Sequence, residues 1–120
     1  MTLPKNSGDI QWTKKTKKVK GKTKVAVLIS IGYGAGWSTW NTNFSSFLLF
    51  DKGIVERVLR NDKDEIPDYI KDKTGDEHLF LDGLKDLIVV WVDEGVKFVV
   101  NEYDGSESIT QFENLDYFTA

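Results

Sequence analysis

The segment GYGAGWSTWNTN, residues 32–43, places three glycines and two tryptophans within nine positions, directly after a run that reads as a buried strand. Glycine-rich turns at strand ends can present backbone amides to a phosphate. Gly32-Tyr33-Gly34-Ala35-Gly36-Trp37 begins as the dinucleotide fingerprint G-x-G-x-x-G does, but Trp37 stands where the third glycine belongs. That glycine lets a helix approach its strand closely, and an indole there prevents it. No Gly-Lys-Ser/Thr follows, and Ser38-Thr39-Trp40-Asn41-Thr42-Asn43 is rich in residues that compete with helix formation. A nucleotide site of the usual fingerprint kinds is therefore not expected.

Recognition chemistry remains. Tyr33, Trp37 and Trp40 offer flat faces, Ser38, Thr39 and Asn41 offer donors and acceptors, and Gly34 and Gly36 leave backbone amides accessible. A nucleobase stacked on one of these rings would gain about 1–3 kcal/mol. The competing reading is that the rings fill the core, since each buries roughly 150–250 Å². One tryptophan inside and one at a functional surface is the expectation, with both inside the alternative.

A second dense motif is Glu102-Tyr103-Asp104-Gly105-Ser106-Glu107. Its acids could ligate a hard cation through oxygen, but the spacing does not match the twelve-residue calcium loop. An Asp-Gly hairpin turn explains the same residues, and no metal or other cofactor is expected. Tyr103 and Asp104 join the candidate surface if the two motifs meet at one end of a sheet. His78 is the chain's one histidine and has no neighbouring nucleophile; nothing resembles a nucleophile elbow. The absence of cysteine rules out a disulfide framework, a Cys-type zinc site and a thiol nucleophile. A non-enzyme is expected.

The elements that must position these motifs suggest an α+β fold: a mostly antiparallel sheet, two short helices inserted after the second strand, and a C-terminal β-meander. KVAVLISI (24–31) reads as a central strand buried on both faces. SFLLF (46–50) reads as a second buried strand. DKGIVERVLRN (51–61) has helical period, with Ile54, Val55, Val58 and Leu59 on one face and Asp51 as its N-cap. IPDYIKDKTG (66–75) reads as a helix with Pro67 in the first turn and Gly75 as its left-handed stop. HLFL (78–81) is expected to be a short strand before an Asp82-Gly83 turn. DLIVVWV (86–92) and VKFVVNEY (96–103) form strands around an Asp93-Glu94-Gly95 hairpin loop, and ESITQF (107–112) follows the Asp104-Gly105 turn. Tyr117 and Phe118 are expected to pack the tail.

Charge divides the chain. Residues 1–24 carry eight Lys against Asp9, a balance of +7, while residues 25–120 balance at −10, giving −3 overall. Residues 1–23 read as a basic N-terminal arm and 24–120 as a single domain. Lys14, Lys15, Lys17 and Lys18 could hold nucleic acid by counterion release. A solvated tail or strand is the preferred reading, because an acidic body repels a duplex lying against it. The same body could mimic nucleic acid toward a basic protein surface. No stretch approaches the roughly 20 apolar residues that span a bilayer. The polar N-terminus suggests no signal peptide, so a cytoplasmic protein without membrane contact is expected.

KVAVLISIGYGAGWSTWN (24–41) together with VVWVDEGVKFVVNEYDGSESI (89–109) resembles a family of small accessory proteins of phages and prophages. The likeness covers most of residues 24–109, including the LLFDKG stretch, but not the lysine-rich arm. The family has no settled activity; its genomic company implies interference with host defence. The first expectation is a phage-encoded, non-catalytic protein that inhibits a bacterial host defence or regulatory protein, CRISPR systems among the targets. The alternatives are a sponge for a small nucleotide signal, built on the glycine loop, and nucleic-acid binding through the arm.

Overall fold

The computed structural model describes residues 3–112 and 118–120, with Phe112 by its backbone alone. In chain order it forms β1 (Thr16–Val19), β2 (Lys22–Ser30), α1 (Ser45–Phe50), α2 (Lys52–Leu59), α3 (Ile66–Thr74), β3 (Leu87–Asp93), β4 (Lys97–Tyr103), β5 (Ser106–Phe112) and β6 (Phe118–Thr119). Two antiparallel three-stranded sheets result, ordered β1-β2-β3 and β5-β4-β6. The class is α+β, as the sequence suggests. Among the described residues no helix is long and apolar enough to cross a membrane.

β2 is central and buried on both faces, which is why its sequence lacks polar alternation. Ala26 and Leu28 face the helices beside Trp37, Phe47 and Ile54. Val25, Val27 and Ile29 face the second sheet beside Leu49, Phe50 and Phe98. With two apolar faces, alternation cannot set the strand's register. The two-residue turn at Lys20-Gly21 does so, with both residues left-handed (φ 51° and 82°). Asp104-Gly105 repeats the device between β4 and β5, at φ 50° and 88°, as expected of that pair.

The two expected helices stand with their caps. Asp51 accepts a hydrogen bond from the Ile54 amide (3.1 Å), and Gly75 closes α3 at φ 68°. Ile54 and Val55 are buried and Val58 is half-buried, but Leu59 lies at the exposed end of α2.

Four expected features are corrected. SFLLF is not a strand: it belongs to α1, so three helices follow β2. A short apolar run cannot be told from a helix by periodicity, and its Leu and Phe lack the β-branching that stiffens KVAVLISI into a strand. HLFL is not a strand either. Its Phe80 donates its amide to Asn41 Oδ1 (2.8 Å), and its carbonyl accepts from Asn41 Nδ2 (2.9 Å), so one side chain supplies the pairing a strand would. Asp82–Asp86 then forms a 3-10 helix where a turn was expected.

Finally, β3 and β4 are not a hairpin. The loop at Gly95 is left-handed as expected, but it carries the chain from one sheet to the other. The slot beside β4 is filled by the C-terminus, where β6 pairs Phe118 with Phe98 and Gly95 and Val96 bond to Ala120. The meander is therefore split between sheets. Phe118 packs on Phe50 and Phe98, while Tyr117 lies outside the described residues.

The lysine-rich arm is built into this body. Trp12 stacks on Phe50 with ring centroids 6.1 Å apart, Lys52 donates its amide to Thr13 O, and β1 runs along β2 as the sheet's edge.

Candidate functional site

The glycine loop and the β4–β5 hairpin meet at the Ser30 end of β2. The Gly34 amide donates to Asp104 O (2.7 Å), and Ser106 Oγ donates to Ile31 O (3.0 Å). Glu107 binds them more deeply. On β5 it shares the inward face with Ile109, and at 2% exposure its carboxylate is buried. Oε1 accepts from the Ser30 amide (2.9 Å); Oε2 accepts from the Trp37 amide (2.8 Å), the Thr39 amide (3.2 Å) and Thr39 Oγ1 (2.6 Å).

Glu102 lies directly across the hairpin from Glu107, so the pair of like charges would by itself weaken the strand pairing. Loop donors offset that cost. Trp40 Nε1 and the Gly105 amide both donate to Glu102 Oε1, at 2.8 and 3.0 Å. The Trp40 bond, with the amide behind it, holds the Glu102 carboxyl below its usual range. The two glutamates thus clamp residues 37–40 onto the hairpin.

This geometry sorts the candidate residues. Trp37 is wholly buried, its Nε1 donating to Leu48 O (2.7 Å). Ser38 and Asn41 are also buried, and Asn41 holds Phe80 and the Trp37 carbonyl. These three lie beneath the surface. Thr39 and Trp40 are half-buried, Trp40 meeting Phe80 edge-on at 6.0 Å. Gly36 is buried as well; a Cβ there would press on Thr39 and Trp40.

What remains outside is Tyr33 (69% exposed), Gly34, Tyr103 (78% exposed) and Asp104. Two apolar residues that sequence reasoning missed join them, Ile31 and Phe80. Both follow or sit among residues that read as strand, which hid their exposure. Asp82, Lys85 and Asp86 face Tyr33 across a groove of about 330 Å³. The end of the sheet is therefore an aromatic surface flanked by Asp82, Asp86, Glu102 and Asp104, with Lys85 among them.

The loop amides have a consequence for anion binding. The Gly34 amide is already engaged by Asp104 O, and those of Trp37 and Thr39 by an internal carboxylate. Ser38–Trp40 and Thr42–Phe44 are 3-10 turns, and α1 begins only at Ser45.

No family model, curated protein or solved structure matches the chain.

The basic arm is divided as well. Lys14 Nζ donates to Thr119 O (2.6 Å) and lies 4.5 Å above the Phe50 ring; burial lowers its pKa. Lys15 pairs loosely with Glu56 (3.9 Å). Lys17 sits 4.0 Å over the Trp91 ring, and Lys18 is exposed.

A larger groove, about 570 Å³, lies between the arm and the helices and is lined in part by Trp12, Asp51, Tyr69 and Lys73. Asp51 Oδ2 accepts from Tyr69 OH (2.7 Å) as well as from Ile54. Burial raises the Asp51 pKa against these hydrogen bonds, and burial together with the Asp51 bond raises that of Tyr69. The pair joins the start of α2 to α3.

Proposed function

We propose that this chain is a non-catalytic binding protein of phage origin that inhibits a bacterial host defence or regulatory protein through the aromatic end of its first sheet. The observation that carries the reading is the exposure of Tyr33 and Tyr103 on two segments locked together by hydrogen bonds. Tyrosines held this way offer large contact area at little further entropy cost, as interface anchors do. The flanking carboxylates favour a partner with a basic surface, where complementary charge speeds encounter and selects the partner. The phage origin rests on the resemblance of the GYGAGWSTWN and EYDGSE segments.

The nucleotide-sponge reading has less support. Its loop amides are engaged by Asp104 O and Glu107, and the adjoining groove sets Asp82 and Asp86 against Lys85, a balance that disfavours phosphate.

The test is native mass spectrometry of protein purified gently from a bacterial host, comparing the natural chain with a Tyr33→Ala/Tyr103→Ala variant. Both side chains are exposed, so the variant should unfold at the same urea concentration. The expected result is a stoichiometric host protein retained by the natural chain and lost from the variant. Equal retention by both would overturn the assignment of this surface. Extra mass of a few hundred daltons in both would favour the sponge.

A further inference from the structure

β2 has two ends, and the charge of the molecule is divided between them. The acidic aromatic surface adjoins Ser30. The other end carries the β1–β2 hairpin, where Lys17, Lys18, Lys20 and Lys22 are all exposed. Lys15 and Lys24 are paired with Glu56 and Asp93, and Lys14 is held by Thr119. Lys18, Lys20 and Lys22 have no ion-pair partner among the described residues, and Lys17 rests on the Trp91 ring. Asp93, whose carboxylate also faces Lys22, and Glu94, beside Thr23, are the acids next to them.

The acidic surface does not cancel this charge. Nine residues of strand, at about 3.3 Å each, separate the ends by roughly 26–30 Å. That is about three Debye lengths at physiological salt. A polyanion on the hairpin therefore experiences the lysines, Asp93 and Glu94 but little of the acids near Tyr33. Order adds to the effect: the lysines stand on a hydrogen-bonded ribbon closed by a tight turn, so less freedom is lost on binding than from a loose tail. β1 is also the edge of its sheet, and its outward amides are available to phosphate oxygens.

We propose that the β1–β2 hairpin is a second binding surface, which takes the phosphate backbone of double-stranded DNA without reading its sequence. A duplex is favoured over a single strand because the hairpin has no exposed aromatic ring on which bases could stack. The half-buried Trp91 ring is covered by Lys17. This inference is independent of the reading of the aromatic end.

The experiment is fluorescence anisotropy of a labelled duplex of about 30 base pairs, of arbitrary sequence, titrated with the full chain over a series of salt concentrations. Each phosphate neutralised should contribute about −0.9 to the slope of log K against log salt. Contacts from Lys17, Lys18, Lys20 and Lys22 give an expected slope of about −3 to −4. The surface variant Lys18→Gln/Lys20→Gln/Lys22→Gln should reduce the slope to about −1 and weaken binding at least about tenfold at low salt. Tyr33→Ala/Tyr103→Ala should bind the duplex as the natural chain does. Absence of binding at about 50 mM salt, an unchanged affinity in the lysine variant, or tighter binding of the corresponding single strand would each overturn the proposal.

Discussion

Replacing Glu107 by Ala should be among the most damaging single changes that leave the hydrophobic core untouched. The carboxylate satisfies the amides of Ser30 and Trp37, both buried, and of Thr39, which is half-buried. A buried donor left without a partner costs about 1–3 kcal/mol. Two such donors and a partly wetted third therefore cost about 4 kcal/mol. Some of this is offset, because the change also ends the burial of a charge and its repulsion by Glu102. The net expected loss is about 3 kcal/mol, a large share of the roughly 5–15 kcal/mol that holds a domain together. Glu107→Gln keeps the shape and one acceptor oxygen, but turns an NH₂ group toward amides that themselves donate. Its expected loss is about 2 kcal/mol. Urea unfolding followed by tryptophan fluorescence reads both. With a slope of about 2 kcal/mol/M, the midpoints should fall by about 1.5 M for Ala and about 1 M for Gln. A Glu107→Gln midpoint within about 0.2 M of the natural protein would refute the account of the carboxylate as the link between loop and hairpin.

Two glycines in matching left-handed turns should respond differently to Ala. At Gly21 an added Cβ meets open space, so the loss should be only the conformational one, about 1–2 kcal/mol. At Gly105 the Cβ would lie 2.3 Å from the Ala35 amide nitrogen, which is backbone, so loop and hairpin must separate and the loss should exceed about 3 kcal/mol. Equal losses in thermal melts would contradict the close approach of the two motifs. Asp51 makes a prediction about pH. Burial raises its folded-state pKa above the ordinary 3.8, so in the window above 3.8 the folded chain binds more protons than the unfolded one. Its contribution to stability therefore improves as pH falls through the raised value and worsens as pH rises. Asp51→Asn removes this titration while keeping an oxygen for Ile54 and Tyr69. The stability difference between the two proteins should shift toward the natural chain as pH is lowered from neutral, and a difference constant with pH would count against it.

Much of the architecture was legible in the residues themselves. The uninterrupted KVAVLISI announced a strand covered on both faces, Asp51 and Gly75 marked helix ends, and Asp104-Gly105 marked a hairpin. These features are local, and their physics acts within a few residues. SFLLF and HLFL were not legible, because a short apolar run satisfies helix, strand or irregular backbone equally until something packs against it. Asn41 decided the second case from a distance, by offering one side-chain amide as a strand partner.

For the site, the sequence by itself determined the materials: an aromatic, glycine-rich loop, an acidic hairpin turn and a lysine-rich beginning. Even Glu107 left a trace, since strand alternation places it on the same face as Ile109. The tertiary structure decided which of these materials face outward. It buried Trp37, Ser38 and Asn41, left Tyr33 and Tyr103 at the surface, and spent the amides of Trp37 and Thr39 on Glu107. It also set the exposed lysines at the far end of β2 from the acids beside Tyr33 and Tyr103. The reason is physical: exposure and hydrogen-bond partners depend on segments distant in the chain, and a carboxylate seventy residues away decides where the Trp37 amide points.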